Sequence, residues 1–137
     1  MKTIIVKARM NNLEIVTEMV EAFLAFPECS DKTKYQVGVS VEEVFTNIAS
    51  YAYESEDGEI EISCEMTMVE GKKCICIRFK DRGIPFDPLK QKKPDFRIPF
   101  DERKVGGLGI HMVKEFMDDV SYQYEDGYNI LAFRKML

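Results

Sequence analysis

The sequence predicts an α+β fold: a two-layer sandwich in which a mixed, mainly antiparallel sheet is covered on one face by three helices. Apolar and polar residues alternate strictly in several stretches, as where Ile60, Ile62 and Cys64 are set against Glu61, Ser63 and Glu65, the period of a strand with one wet face. In three other stretches the apolar residues recur at helical spacing. Sheet and helices then share one apolar layer. At 137 residues, with no internal repeat and no linker-like segment, residues 1–137 read as a single domain large enough to enclose a cavity.

The elements follow in chain order. Lys2 to Ala8 alternates as a first strand. Asn11 or Asn12 is placed to cap a helix whose buried stripe is Leu13, Val16, Met19, Val20, Phe23 and Leu24, ended by Pro27. A second helix is expected from about Lys34 to Tyr53. Gly58 to Thr67 and Lys72 to Lys80 form two strands around a turn at Glu70-Gly71. From Pro85 to Val105 periodicity fails and Pro88, Pro94 and Pro99 interrupt any long element; a segment of that length without its own structure is functional or disordered. A third helix begins at Gly107, and strands Val120 to Tyr124 and Tyr128 to Arg134 close on Asp126-Gly127, a two-residue hairpin signal.

Composition removes several function classes. A net charge of −5 opposes nonspecific nucleic-acid binding, which needs a basic footprint. No apolar run approaches the length needed to span a bilayer, about 20 residues, and the N-terminus reads as a strand rather than a signal peptide, so a cytoplasmic chain with no membrane contact is expected. Cys29, Cys64, Cys74 and Cys76 include no C-x-x-C pair and accompany a single histidine. They are expected to be small core residues in a reducing compartment rather than a metal site.

Three segments carry chemistry. Asp81 ends a strand and is followed by Arg82-Gly83-Ile84-Pro85, which places a carboxylate beside a turn with little side-chain bulk. A buried carboxylate there can accept a hydrogen bond from an adenine amino group, although Asp-x-Gly is also ordinary turn chemistry. Gly106, Gly107, Leu108 and Gly109 open the third helix, so that bare amides and a helix N-terminus face a phosphate; close helix packing is the plainer use of such glycines. Glu43 and Asn47 lie four residues apart on one helix face. An amide oxygen beside a carboxylate suits Mg2+, which prefers oxygen ligands and bridges to substrate phosphates. In that arrangement Asn47 holds the metal and Glu43 is free to work on a hydroxyl or water. Asn47 could equally hydrogen-bond a loop carbonyl. Between the motifs, Lys90, Lys92, Lys93, Arg97, Arg103 and Lys104 gather positive charge; Arg103 and Lys104 adjoin the glycines and are candidate phosphate contacts, whereas the earlier lysines could be a solvated surface. His111 is expected to be at most a pocket or lid contact.

The order E-x-x-x-N, D-x-G-x-P-F-D-P and G-G-L-G-I ahead of M-D-D-V-S-Y resembles the GHKL ATPase superfamily of gyrase, MutL, heat-shock ATPase chaperones and histidine kinases. Within it, the chain resembles the anti-sigma-factor serine/threonine kinases. The resemblance implies the Bergerat ATP-binding fold, with ATP and Mg2+ as cofactors and residues from about 86 to 105 as a lid over the nucleotide. It implies an anti-sigma regulator that binds a sigma factor and moves the γ-phosphate of ATP to a serine or threonine of a small anti-anti-sigma (STAS-type) antagonist, and it implies a homodimer. Glu43 then corresponds to the general base, Asn47 to the metal ligand, Asp81 and Gly83 to the adenine contact, and Gly106 to Gly109 to the phosphate cradle.

Two positions depart from that pattern. Tyr51 stands where these kinases commonly have histidine, and Val105 where the residue before the glycines is often basic. Phosphoryl transfer relies on positioned positive charge. A non-catalytic module, in which ATP only switches partners, therefore stands as the alternative. A detached histidine-kinase catalytic domain fits less well, because the lid is short and no phospho-accepting histidine sits on a separate dimerisation helix.

Overall fold

A computed structural model describes residues 1–53, 57–90 and 107–137, with residues 107–109 described by their backbone alone. Among these residues the sheet has five strands: β1 (Lys2–Lys7), β2 (Glu59–Val69), β3 (Lys72–Asp81), β4 (Asp119–Glu125) and β5 (Tyr128–Met136). Their order across the sheet is β1-β2-β3-β5-β4. All four pairings are antiparallel, so no parallel pair enters it. The helices are α1 (Leu13–Phe23), α2 (Asp31–Tyr51) and α3 (Gly107–Phe116).

One face of the sheet and one stripe of each helix make the core. Ile60, Ile62, Ile77, Phe79 and Phe133 from the strands pack with Val16, Val37, Val41, Phe45 and Val113 from the helices, all fully buried. The opposite face is wet. There Lys80 and Arg82 both lie over the Tyr128 ring, 4.4 and 4.6 Å from its centroid. Arg82 is thus turned onto the outer face of the sheet.

The turn chemistry matches its positions. Glu70 and Asp126 take positive φ of 52° and 54°, each followed by a glycine at 81° or 84°, the pair of left-handed residues that a two-residue hairpin with native strand twist requires.

The caps differ from the sequence reading. Asn12 occupies the N-cap of α1 but makes no cap hydrogen bond; its amide instead donates to the Lys7 carbonyl at 2.9 Å, and a short 3-10 turn, Met10–Asn12, leads into the helix. α2 begins three residues before Lys34, because Ser30 caps it by accepting from the Thr33 amide at 3.1 Å. The cysteines also divide. Cys64 faces the helix-covered core, where burial pushes its thiol up to about 12. Cys74 and Cys76 pair across strands with Thr67 and Glu65 and so point to the outer face of the sheet, where Cys74 is nonetheless buried and Cys76 is half-buried. None of the four is in a disulfide.

Candidate functional site

The end of α2 is stapled to the turn that follows β3. The Ile84 amide donates to the Ala52 carbonyl at 3.1 Å. The Arg82 amide donates to the Tyr53 hydroxyl at 2.7 Å, and that hydroxyl donates in turn to the Glu59 carbonyl at 2.7 Å. Gly83 lies so close that a Cβ there would sit 2.3 Å from the Ala52 carbonyl oxygen. The glycine of the Asp-x-Gly motif is therefore required by close backbone approach, with α2 brought directly against the turn.

Asp81 sits at the focus of this arrangement, only 5% exposed. Its Oδ1 accepts from the Gly83 amide at 2.8 Å and from Asn129 Nδ2 at 3.1 Å. Among the described residues its Oδ2 receives no protein hydrogen bond. Burial raises the carboxyl pKa above its ordinary value, opposed by the Asn129 and Gly83 hydrogen bonds. Asp81 thus caps the turn through Oδ1, the plainer of the two roles weighed from the sequence.

Beside Asp81 lies a cavity of about 300 Å³, at the lower end of small-molecule sites. Val44, Ile48, Ile84, Phe86, Ile110 and Leu131 give it apolar walls, and Asn47, Tyr51, Tyr122 and Asn129 add polar groups. Asn47 is half-buried, and its amide makes no hydrogen bond with any described residue. Glu43 is one turn earlier on the same helix, half-buried and outside the cavity lining. Burial, and secondarily the neighbouring Glu42, raises its pKa.

Gly107, Leu108 and Gly109 form the first turn of α3, whose Ile110 reaches the cavity wall. Arg103, Lys104 and Gly106 lie outside the described residues, as does most of the lid assigned to residues 86–105. Its first part is described: Pro88 is buried, and Lys114 Nζ donates to the Leu89 carbonyl at 2.7 Å. His111 pairs with Glu115 at 3.6 Å along α3.

Asn129 and Tyr122 also line the cavity, and the sequence reading did not single them out as candidates. Asn129 is buried and donates from Nδ2 to Asp81 Oδ1, to the Gly83 carbonyl at 3.2 Å and to the Ile84 carbonyl at 3.0 Å. Its Oδ1 accepts from the Phe86 amide at 3.2 Å and from the Tyr122 hydroxyl. The signal was available: Asn129, Leu131 and Phe133 share the inward face of β5, and an amide in an apolar register demands a reason.

A divalent cation fits the donor set in one way. Among the described residues no three His, Cys, Asp or Glu side chains cluster, so a cation held at Asn47 would take most of its ligands from phosphate and water, which is the habit of Mg2+.

A family profile described as a histidine kinase-like ATPase domain matches residues 6–135. The serine/threonine-protein kinase BtrW of Bordetella bronchiseptica is 24% identical over 103 residues, 75% of this chain and 70% of that protein. The serine-protein kinase RsbW of Listeria monocytogenes is 31% identical over 97 residues, 68% of this chain and 60% of that one. The crystal structure of the RsbU and RsbW domains of a Mycobacterium tuberculosis protein superposes with a TM-score of 0.65 at 12% identity, covering 99% of this chain and 33% of that chain. At that identity the likeness concerns the fold, which is the one the strand order and helix layer display. Motif order, sheet topology and a match over nearly the whole length agree that the chain belongs to the histidine kinase-like ATPase domain family.

Proposed function

We propose that the chain is an ATP-dependent serine/threonine protein kinase of the anti-sigma type. The observation that carries this reading is the buried Asp81 carboxylate lining a cavity that Asn47 also lines, with one Asp81 oxygen and the Asn47 amide left without a hydrogen bond among the described residues. The kinase names of the BtrW and RsbW relatives support it.

In this reading the adenine amino group donates to Asp81, and the apolar walls enclose the base. Gly83 keeps the turn against α2. The amides of Gly106, Gly107, Leu108 and Gly109 take the phosphates, with Arg103 and Lys104 adding charge. Asn47 holds Mg2+, which when bound screens the phosphate charge. Glu43 accepts the proton of the incoming serine or threonine hydroxyl, a role open to it only while ionised. Its place outside the cavity wall agrees with a hydroxyl that arrives on a separate protein.

The partners proposed are a sigma factor and a STAS-type antagonist that carries the accepting hydroxyl, so that the output is regulated transcription. We place the protein in the cytoplasm, supported by four thiols that stay unpaired; no described helix is long and apolar enough to cross a membrane. Incubation of the chain with such an antagonist, Mg2+ and labelled ATP tests the activity. Transfer that disappears in Glu43→Gln while ATP still binds supports it, and bound ATP with no transfer by the parent chain rejects it.

Val105 ahead of the glycines favours a second reading, an ATP-dependent partner switch without chemistry. Glu43→Gln separates the two, because a pure switch keeps its partner behaviour in that variant.

A further inference from the structure

We propose that Asn129 is a positioning residue that sets the purine preference of the site, by fixing which oxygen of Asp81 is offered to the base. The inference rests on reading the cavity as the nucleotide-base site.

The amide of Asn129 has one workable orientation. Its Oδ1 faces the Phe86 N–H, which can only donate, and the Tyr122 hydroxyl. Its Nδ2 faces Asp81 Oδ1 and the carbonyls of Gly83 and Ile84, which can only accept while Asp81 is ionised. Turned over, the amide would set oxygen against three acceptors and N–H against N–H. The rest of the fold therefore holds the donor end of Asn129 on Asp81.

That donor settles the carboxylate. Asp81 Oδ1 already accepts from the Gly83 amide at 2.8 Å, and Nδ2 at 3.1 Å supplies a second N–H. Oδ1 is engaged on the turn side, and Oδ2, without a hydrogen bond among the described residues, is the acceptor left for the cavity that Asp81 lines. A 6-amino purine offers N–H to such an atom. A 6-oxo purine offers a carbonyl oxygen, which meets a carboxylate oxygen with repulsion and no hydrogen bond. Without Asn129 the carboxylate keeps one donor, can rotate, and can present either oxygen or admit a water, so the two purines become harder to tell apart.

Titration calorimetry of the whole chain with ATP and with inosine triphosphate, each with Mg2+, reads the ratio of the two affinities. The ribose and triphosphate are common to both ligands, so the ratio isolates the base. The parent is expected to favour ATP by roughly a hundredfold, the scale of one hydrogen bond to a charged group. Asn129→Ala is expected to bring the ratio below about tenfold, chiefly by weakening ATP. Tyr122→Phe removes one of the two donors that orient the amide and lowers the ratio by a smaller factor; it carries the test if Asn129→Ala does not fold. Folded variants that keep the parent ratio, with both affinities reduced together or not at all, show that Asn129 merely glues the turn to β5 and overturn the proposal. A parent chain that binds neither nucleotide is a separate result, which overturns the base-site reading and this inference with it.

Discussion

Replacing Asp81 by Asn separates what the buried carboxylate does for a ligand from what it does to the fold. The substitution keeps shape, and the side-chain oxygen can still accept from the Gly83 amide and from Asn129. The free acceptor in the cavity becomes an NH2 group. A purine amino group then loses a charged acceptor, worth about 1.5–3 kcal/mol, and faces an unpaired buried donor, which adds about 1–3 kcal/mol. Taken together as about 3–5 kcal/mol at about 1.4 kcal/mol per decade, ATP affinity should fall by roughly two to three and a half powers of ten.

Stability should move the other way. Burial raises the Asp81 pKa in the folded state, so the folded protein binds this proton more tightly than the unfolded chain does. The charged form therefore weakens the fold at all pH values above the raised pKa, and that penalty fades as pH drops toward the ordinary aspartate value of about 3.9. Asp81→Asn should match or exceed the parent's melting temperature at pH 8 without nucleotide, with the difference shrinking on acidification. Calorimetry with ATP and Mg2+ and thermal melts across pH measure both. An Asp81→Asn protein that binds ATP within tenfold of the parent would refute the assignment of the carboxylate to the base.

Three further outcomes are expected. Gly83→Ala drives a Cβ to 2.3 Å from the Ala52 oxygen and 2.6 Å from its Cβ, and overpacking of this kind costs about 1–3 kcal/mol or more; urea melts should show the loss, with ATP binding weakened alongside. Ser30→Ala removes the cap accepted from Thr33 and should lower stability by about 1 kcal/mol in the same melts, with little effect on ATP affinity once folded. If Glu43 is the base, its raised pKa means that the ionised fraction, and with it the single-turnover transfer rate, falls as pH drops through a midpoint above the ordinary glutamate value of about 4.3. Glu43→Gln should be slow at every pH, and a parent profile that stays flat down to pH 4 would remove Glu43 from the role.

Most of the layer structure was legible because it depends on local period. Ile60, Ile62 and Cys64 announce which face of β2 is buried, and Asp126-Gly127 announces the hairpin. The start of α2 was misjudged because the apolar stripe begins later than the cap, at Val37, whereas Ser30 acts through a hydrogen bond three residues ahead. Asn12 shows the reverse: a residue of the right type at the right place whose amide is taken by the Lys7 carbonyl. Within the candidate site, Asp81 and Asn47 were singled out from spacing, and both line the cavity. Asn129 and Tyr122 could not be assigned roles, because their meaning depends on β5 lying beside β3, a pairing between segments 48 residues apart at Asn129 and Asp81. The outer-face placement of Cys74 and Cys76 was hidden likewise, since alternation alone does not say which face the helices cover.

The bond from Ile84 to the Ala52 carbonyl and the contact of Gly83 with the same residue have a thermodynamic consequence. Helix terminus and turn are immobilised during folding, and so the groups that would meet the base lose little further freedom when it arrives. Association at this end should then show a small ordering penalty, and the exchange of one heterocycle for another should register as a change in enthalpy of contact rather than in rearrangement of the chain.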